Sequence, residues 1–412
     1  MQRWSIGGVA TLVLVLASCG PGSHAPSVSN APMTSSPSAA ATPTTSPTPT
    51  PAPAGTLASC VGSPPAASST GPTIAIEPSN SEVELIDLDG DVVNQTAIEN
   101  YPGLAPVGQG PDGAYLYDQS TGELELLGLT GPPQTLAVIT PSSDYDTVSL
   151  AGSPNGQCWI FSETSYDSNL NGTSEVYVGF EGEAAPVLLT TLTRAASVNG
   201  SYGGGYQVVR WDTSGVLLGT DPTSVGGGGP FISDGYSLAT VVRMDPLTGA
   251  VSSPLCTGGR FGDVAPDGTV ACLTGPNTDV QIIVTSPDGS TTTIDTGMPF
   301  AGQVGFVGSS SLLTYGTSND VWNANGWTTN LLVVQLGGAT PSPDTLSSGD
   351  GAGDNESSYP WYKIVDGNSI VETRGGSVTS SLVLVDLTTG QTTTVISTTV
   401  TTSDNIQILG VL

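Results

Sequence analysis

The chain has 412 residues, of which 36 are acidic and only 7 are Lys or Arg, so its formal net charge is −29. This charge argues against nucleic acids and anionic lipid headgroups as partners, because few cationic side chains are available to hold phosphates. Only 10% of the residues are charged. Small polar residues therefore cover most of the surface, a composition that suits strands and turns better than helices.

The first residues have the layout of a secretory signal. Arg3 precedes an apolar run at 6–17, IGGVATLVLVLA, which is too short to span a bilayer comfortably. The tetrapeptide LASC at 16–19 resembles a bacterial lipobox. This resemblance implies that residues 1–18 are a cleaved signal peptide and that Cys19 becomes a lipidated first residue, with enough acyl chains for stable anchoring. The alternative is an ordinary secretory signal with an incidental cysteine.

Residues 19–56 form a tether after this signal. They are almost entirely Pro, Ser, Thr, Ala and Gly, and such a segment cannot build a packed core. Its prolines favour extended polyproline II, so the tether reaches up to about 100 Å at ~3.1 Å per residue. We therefore expect an extracytoplasmic protein, lipid-anchored to the bacterial cell membrane, with its folded domain at 57–412.

Four further cysteines lie beyond the tether, namely Cys60, Cys158, Cys256 and Cys272. An even number outside the cytoplasm indicates disulfides, and four cysteines allow three pairings. We favour Cys256–Cys272, because these residues flank one short segment, which leaves Cys60–Cys158 to join the end of the tether to the domain. A metal or redox role is disfavoured, since there is no Cys-x-x-Cys and the only histidine, His24, lies in the tether.

A weak but regular repeat runs through residues 73–412. Turns of the type x-Pro-[Asp/Asn]-Gly, such as GPDG at 110–113 and APDG at 265–268, each precede an apolar strand. Alternating strands joined by Asp-Gly or Thr-Gly turns follow, which is hairpin chemistry with Gly supplying the positive φ. Each unit predicts four antiparallel strands in roughly forty to fifty residues, the size of one propeller blade.

The units number about seven. Six fall near residues 103–140, 147–193, 205–256, 260–297, 301–342 and 359–398. Residues 73–99 supply only three strands, and NIQILGVL at 405–412 is a lone apolar strand without a hairpin partner. Pairing these two segments predicts an all-β propeller whose ring is closed by the C-terminal strand, leaving no exposed edge there. Two β-sandwich domains are the main alternative, but they leave the last strand unexplained.

The unit at 152–190 resembles a TolB-type propeller repeat, a WD-like family. In that repeat a Ser-Pro-Asp-Gly turn leads to a Phe-x-Ser strand, an Asn-x-Glu-Ile-Tyr strand and a Leu-Thr exit. The matching residues here are Pro154, Gly156, Phe161, Ser162, Glu175, Tyr177 and Thr190. The units at 205–256 and 301–342 lack the turn signature. The resemblance supports the fold and implies little about activity, since propellers host many functions.

Insertions in this repeat predict one working face. They are at 163–174, 220–237, 316–329 and 343–362, and all fall in second–third loops or between blades, which open at the same end of a propeller. Aromatic and acidic residues of these insertions are candidate binding residues, because aromatic rings beside acids and amides hold sugars and peptides. They are Tyr166, Phe231, Tyr236, Trp322, Trp327, Tyr359, Trp361, Asp350, Asp354 and Glu356. Packing between blades and a solvated acidic loop are the alternatives.

One insertion contains DSNLNG at 167–172, which has the spacing of a calcium loop. Asp167, Asn169 and Asn171 offer side-chain oxygens on a tight turn, and Glu175 offers a carboxylate. The spacing resembles the calcium loops of FG-GAP propellers and departs from the EF-hand pattern. The alternative is a solvated hairpin tip without metal.

The residue inventory limits enzymatic chemistry. No histidine lies in the domain, which excludes Ser-His-Asp hydrolysis and histidine-ligated metals there. Nucleotide-binding fingerprints and a sialidase-type Asp box are absent. We therefore expect a non-catalytic, monomeric binding or scaffolding module for a protein or glycan partner, with calcium as the only cofactor considered. The alternatives are a carboxylate-dependent glycan hydrolase and a calcium-stabilised structural spacer.

Overall fold

A computed structural model describes eighteen ranges of the chain. These are residues 57–62, 71–79, 82–97, 107–118, 121–139, 145–169, 171–180, 185–195, 205–220, 240–257, 259–274, 280–298, 300–317, 327–337, 343–351, 362–375, 379–399 and 406–412. The predicted signal peptide 1–18, Cys19 and the whole tether at 19–56 therefore lie outside the described residues. Within them, no helix has the length and apolar character needed to cross a membrane.

The described chain starts with a 3-10 helix at Ala58–Cys60 and continues as strands. In chain order the strands are β1 (Ile74–Ser79), β2 (Glu82–Ile86), β3 (Val92–Ala97), β4 (Val107–Gly110), β5 (Gly113–Asp118), β6 (Glu123–Gly128), β7 (Gln134–Val138), β8 (Tyr145–Gly152), β9 (Cys158–Tyr166), β10 (Gly172–Phe180), β11 (Val187–Arg194), β12 (Tyr206–Asp212), β13 (Gly215–Thr220), β14 (Thr240–Met244), β15 (Arg260–Val264), β16 (Val270–Leu273), β17 (Gln281–Thr285), β18 (Thr291–Asp295), β19 (Phe300–Val307), β20 (Ser311–Thr317), β21 (Trp327–Gln335), β22 (Pro343–Gly351), β23 (Tyr362–Ile364), β24 (Ser369–Gly375), β25 (Thr379–Asp386), β26 (Thr392–Thr399) and β27 (Gln407–Val411).

These strands form seven antiparallel sheets, the blades of a propeller. Blade 1 has the order β27-β1-β2-β3, and blades 2 and 3 are β4–β7 and β8–β11. Blade 4 is β12–β14, and blades 5, 6 and 7 are β15–β18, β19–β22 and β23–β26. The predicted all-β, seven-bladed propeller is therefore confirmed.

The C-terminal strand closes the ring as the sequence predicted. β27 pairs with β1, with Ile74 opposite Val411 and Ile76 opposite Ile408. Backbone hydrogen bonds between Thr73 and Leu412, one in each direction, extend the ladder. The last strand thus supplies the innermost strand of the first blade, so the two ends of the folded domain hold each other in place.

The hydrophobic core lies between neighbouring blades. Side chains alternate along each strand, so a strand in the middle of a blade buries one set against each neighbouring blade. In β1, Ile74 and Ile76 pack with Val371 and Leu382 of blade 7, whereas Ala75 packs in the cluster shared with blade 2. Corresponding apolar clusters join the other five neighbouring pairs. This packing explains why the second strands, such as β5 and β13, are buried almost throughout.

Blade 4 departs from the predicted four regular strands. A single bridge joins Met244 to Val251, and the Ser252 N–H donates to the Arg243 carbonyl. The next ladder bond to the Val241 carbonyl comes from Leu255, not from residue 254. Residue 254 is proline, which has no N–H to donate. The fourth strand position is therefore occupied by an irregular segment.

Blade 6 extends further than predicted. The predicted blade ended at residue 342, and 343–362 was predicted to be a loop. In the structure residues 343–351 form the outer strand β22, with Pro343 opposite Val334 and Gly351 opposite Trp327. An outer strand pairs with one neighbour only and its other edge faces solvent. Its side chains can therefore be polar throughout, and the sequence lacks the apolar–polar alternation by which strands are predicted.

Both favoured disulfides are present. Cys60 is bonded to Cys158 and Cys256 to Cys272. Cys60 and Leu57 are buried in the cluster between blades 3 and 4, and the Asn155 side-chain amide donates to the Ser59 carbonyl at 2.6 Å. The N-terminal segment is therefore held on the propeller by a covalent bond, apolar packing and a hydrogen bond. Two disulfides fit an oxidising, extracytoplasmic environment.

A buried polar network joins blades 6 and 7. The Tyr315 hydroxyl donates to the Glu372 carboxylate, whose other oxygen accepts the Arg374 Nε–H at 2.6 Å. Tyr315 and Glu372 are each 3% exposed. Burial first, and then the Glu372 carboxylate, raise the pKa of Tyr315 well above its usual value.

We expect Tyr315→Phe to lower the free energy of unfolding by about 1–3 kcal/mol, because a buried carboxylate loses a donor. Tyr362→Phe is the matched control, since its hydroxyl donates to a neutral acceptor, the Leu313 carbonyl, and its loss costs about 1 kcal/mol.

The raised pKa of Tyr315 stabilises the fold at pH values below the unfolded value of about 10, and this contribution is lost as the pH rises above it. Urea unfolding from pH 7 to 11 checks both points. Burial and then Asp263 raise the pKa of Tyr362 as well, so the pH test also uses the double variant Tyr315→Phe/Tyr362→Phe. Equal effects of the two single substitutions at pH 7, or an alkaline loss in the double variant as steep as in wild type, would contradict the assignment.

Candidate functional site

The two ends of the ring differ in their connections. At one end, here the short-turn face, the first strand of a blade turns into the second and the third into the fourth. Residues 111–112 and 213–214 make two-residue turns there. At the other end, the loop face, lie the second–third connections and the connections between blades. The ends of β13 and β14, Thr220 and Thr240, pair at this end and are joined by residues 221–239, the longest segment between consecutive strands.

The predicted insertion at 163–174 is mostly strand. Only residues 167–171 separate β9 from β10, and the pairing continues to Tyr166 opposite Gly172. The Thr164 and Ser174 hydroxyls are hydrogen-bonded to each other at 2.8 Å, and Ser174 Oγ accepts the Tyr206 N–H of blade 4. These contacts between neighbouring strands and blades explain why the strands extend so far towards the loop face.

The structure brings together only part of the predicted binding set. Trp327 begins β21 and Asp350 lies near the end of β22, so their backbones are neighbours on the loop face of blade 6. Tyr166 ends β9 in blade 3 and is therefore not part of the same cluster. The remaining members lie outside the described residues, namely Phe231, Tyr236, Trp322, Asp354, Glu356, Tyr359 and Trp361.

The candidate calcium loop forms a closed hairpin turn. Asp167 Oδ1 accepts the backbone N–H groups of Asn169 and Asn171 at 2.8 and 2.9 Å, and Oδ2 accepts the Asn171 side-chain amide at 2.8 Å. These bonds, chiefly those from Asn171, hold the pKa of Asp167 below its usual value. The turn at Asp87–Asp91 has the same pair of backbone bonds to Asp87 Oδ1. Side-chain capping of a turn therefore accounts for the Asp and Asn spacing.

Glu175 is separated from this turn. It lies four residues beyond Asn171 along β10, which places its backbone about 13 Å away at ~3.3 Å per residue. Its carboxylate accepts the Tyr177 hydroxyl at 2.8 Å. No cluster of three or more potential metal ligands of the His, Cys, Asp and Glu types occurs among the residues that the structure describes. Calcium binding at Asp167, Asn169 and Asn171 stays a prediction.

The calcium hypothesis predicts a higher melting temperature in calcium than in chelator, and it predicts that Asp167→Ala removes this difference. Ordering of an exposed loop by a bound ion is the physical reason. Asp87→Ala is the matched control, because it breaks the same type of turn on the opposite face. The measurement is differential scanning calorimetry of the three proteins with calcium and with chelator. Equal melting temperatures in the two conditions would contradict calcium binding.

Sequence reasoning missed a cavity at the short-turn end of the central channel. Its volume is about 380 Å³, and its lining comes from the innermost strands and first turns of blades 1, 2, 3, 4 and 7. The polar part of the lining includes Arg210 and Lys363, and the apolar part includes Leu150, Val208 and Leu409. Its residues come from five separate blades, so no local motif could have indicated it.

Arg210 helps to join blades 4, 5 and 6. Its Nη1 donates to Asp263 Oδ1 at 2.7 Å, its Nε donates to Asp212 at 3.3 Å, and its Nη2 donates to the Val264 carbonyl. Asp263 Oδ2 in turn accepts the Phe306 N–H of blade 6 at 2.8 Å. Arg210 therefore stabilises the channel wall, with three of its five N–H donors bonded to protein acceptors.

A groove adjoins this cavity on the short-turn face. Its volume is about 550 Å³, and it shares Pro154 and Trp211 with the cavity. The disulfide-bound segment Cys60–Gly62 lines one side, and Arg243 and the turn at 245–247 line the other. The described concave surfaces thus include two on the face opposite to the one that the insertions predicted.

Comparisons with known proteins identify a fold and no family. No family model matches the chain, and no curated protein matches it. Similar solved structures include an oligogalacturonate lyase in complex with manganese, at 12% identity over 74% of this chain and 82% of the lyase, with a TM-score of 0.47. A protein from Lactobacillus plantarum is 13% identical over 82% of this chain and 97% of its own, with a TM-score of 0.45.

TolB from Acinetobacter baumannii is also similar, at 13% identity over 81% of this chain and 80% of its own, with a TM-score of 0.38. Identities this low concern the fold alone, and no binding or catalytic property passes from these proteins to this chain. By its own sheet topology, the chain is a seven-bladed β-propeller closed by its C-terminal strand.

Proposed function

We propose that this protein is a binding module of the bacterial cell envelope, anchored through a lipidated Cys19, which holds a protein or glycan partner on its loop face. The observation that carries the proposal is the asymmetry of the ring. The connections 87–91, 111–112, 213–214 and 286–290 at the short-turn end have two to five residues, whereas 19 residues, 221–239, join the strand ends Thr220 and Thr240 at the loop end. Long connections on a rigid scaffold are the usual carriers of binding residues.

Other features support an extracytoplasmic binding role. The two disulfides fit an oxidising compartment. The domain has no histidine, which removes the commonest general acid–base group. Trp327 and Asp350 are candidate binding residues by residue type, and their backbones lie on neighbouring strands at the loop end of blade 6.

The test compares two variants of the folded domain 57–412. In the first, an Asn-Gly turn replaces residues 221–239, which is compatible with the Thr220–Thr240 pairing of β13 and β14. In the matched control, Asn-Gly replaces residues 213–214 on the short-turn face. We expect wild type and control to capture the same partner from intact cells or a glycan array, and the loop-face variant to lose it.

Three results would count against the proposal. Equal capture by both variants would remove the loop face from the binding site. Release of sugar from a bound glycan would favour the carboxylate-dependent hydrolase. No captured partner, together with a calcium-dependent melting temperature, would favour the calcium-stabilised spacer.

A further inference from the structure

Lys363 occupies an unusual place for its residue type. It is the only lysine of the chain, and it lies on β23, the innermost strand of blade 7. Its side chain lines the channel cavity together with Arg210. A protein of net charge −29 therefore places its single ammonium group inside the ring, and not on the outer surface where lysines usually keep proteins soluble.

The ammonium of Lys363 has no hydrogen bond or ion pair with another residue in the described part of the chain. The nearby charged groups are Asp263 and Arg210. Both oxygens of Asp263 already accept hydrogen bonds, from Arg210 and from the Phe306 N–H. Asp263 thus attracts the Lys363 ammonium, but no described residue accepts a hydrogen bond from it.

The side chain is exposed to solvent, but it lines the channel cavity, where the neighbouring inner strands remove part of its hydration. This burial lowers the pKa of Lys363, Asp263 offsets part of the effect, and Arg210 adds to it. An anion that enters the cavity would stabilise the charged form of the amine, since an opposite charge within a few ångströms favours ionisation.

The remaining lining indicates the kind of anion. Among the described residues that line the cavity there is no Asp or Glu, and Leu150, Val208, Leu409, Val411 and Leu412 provide apolar surface. Lysine can also hold phosphate, but inorganic phosphate has no hydrocarbon part to cover this apolar surface, whereas an organic carboxylate does. A volume of about 380 Å³ lies at the lower end of the range for small-molecule sites.

We propose that the channel cavity is a binding site for a small organic carboxylate, whose carboxylate group accepts hydrogen bonds from Lys363 and whose hydrocarbon part lies against Leu150, Val208, Leu409 and Val411. The site is on the short-turn face and is independent of the loop-face function proposed above. Arg210 and Asp263 are positioning residues, because they hold the channel wall and surround Lys363 with fixed charge.

The single lysine makes the test direct. Full-length protein labelled with ¹³C at lysine Cε gives one side-chain signal, which reports both ligand contact and the pKa of Lys363. Hexanoate is the probe, hexanamide is its uncharged isostere, and inorganic phosphate is a second anion. We expect hexanoate to shift the signal saturably and to raise the pKa of Lys363, whereas hexanamide and phosphate leave both unchanged.

Calorimetry of hexanoate binding to two variants distinguishes a direct contact with Lys363 from a general effect of the protein's net charge. Lys363→Met is expected to weaken hexanoate binding by about tenfold or more, the loss expected for one charge-assisted hydrogen bond. Arg243→Met removes one positive charge from the adjoining groove and is expected to bind hexanoate as wild type does. Unchanged melting temperatures of both variants show that the fold is kept.

The proposal is overturned by either of two results. One is hexanoate affinity in Lys363→Met equal to that of wild type. The other is a lysine signal that responds to phosphate as it does to hexanoate, which would show an ionic-strength effect only. Loss of binding in Arg243→Met and Lys363→Met alike would place the anion in the groove and would equally contradict a channel site.

Discussion

Deletion of residues 406–412 is expected to abolish the cooperative unfolding transition of the whole propeller. The deletion removes β27, so β1 loses its ladder partner, and the Thr73–Leu412 hydrogen bonds are lost as well. It also removes Ile406, which is 1% exposed and whose N–H donates to Ser380 Oγ in blade 7. The clusters between blades 7 and 1 and between blades 1 and 2 both lose members.

The expected size of the loss follows from burial. Each large aliphatic side chain that is fully buried contributes about 1.5–3 kcal/mol, and the deletion affects several on both sides of the seam. Their sum is comparable with a total stability of about 5–15 kcal/mol. Tryptophan fluorescence and near-ultraviolet circular dichroism during heating provide the measurement.

A peptide in trans provides the control for this deletion. The peptide NIQILGVL, which corresponds to residues 405–412, is expected to restore the transition to the truncated protein. The matched peptide with Ile408→Pro lacks one backbone donor and strains the strand, so it is expected to fail. A truncated protein that still melts cooperatively within a few degrees of wild type would show that the ring does not depend on this seam.

Removal of the Cys60–Cys158 disulfide is expected to destabilise the protein more than removal of Cys256–Cys272. The first bond closes a sequence separation of 98 residues and the second one of 16. In the chain-entropy description these loops correspond to about 4 to 5 kcal/mol and about 3 kcal/mol. The first bond also holds Leu57 and Cys60 in the core between blades 3 and 4, which adds to the difference.

The double substitutions Cys60→Ala/Cys158→Ala and Cys256→Ala/Cys272→Ala are matched in chemistry, and urea unfolding compares them. In a reductant that cleaves both disulfides, the free energy of unfolding of wild type is expected to fall by about the sum of the decreases measured for the two double substitutions. The reverse order of stabilities would show that strain or residual structure in the unfolded chain outweighs loop length.

The parts of this fold that depend only on residues adjacent along the chain can be predicted from the sequence. The turn at 386–390 is an example. Asp386 Oδ1 accepts the backbone N–H groups of Thr388 and Thr389, and Gly390 takes a φ of 70°. An Asp followed by a Thr-Gly pair encodes such a turn by itself, because the side chain reaches only its own backbone and glycine is free to adopt positive φ.

The outer strands were harder to predict. β22 was mistaken for a loop, since an edge strand with polar side chains carries no apolar period. The fourth strand of blade 4 was predicted to be regular, whereas Pro254 interrupts its ladder. In both cases pairing with a neighbouring strand, and not local preference, decides the conformation.

By itself, the sequence determined the repeat of strands and turns, the number of blades and the closure by the last strand. The strands are indicated by the local alternation of apolar and polar residues, and the closure follows because one apolar strand is left without a partner. It also limited the chemistry, through the absence of histidine and the large excess of carboxylates. Only the tertiary structure decided where the few cations go. Arg210, Asp263 and Lys363 lie on the inner strands of three blades, and they meet because a closed ring turns every inner strand towards one axis, a relation that no spacing along the chain expresses.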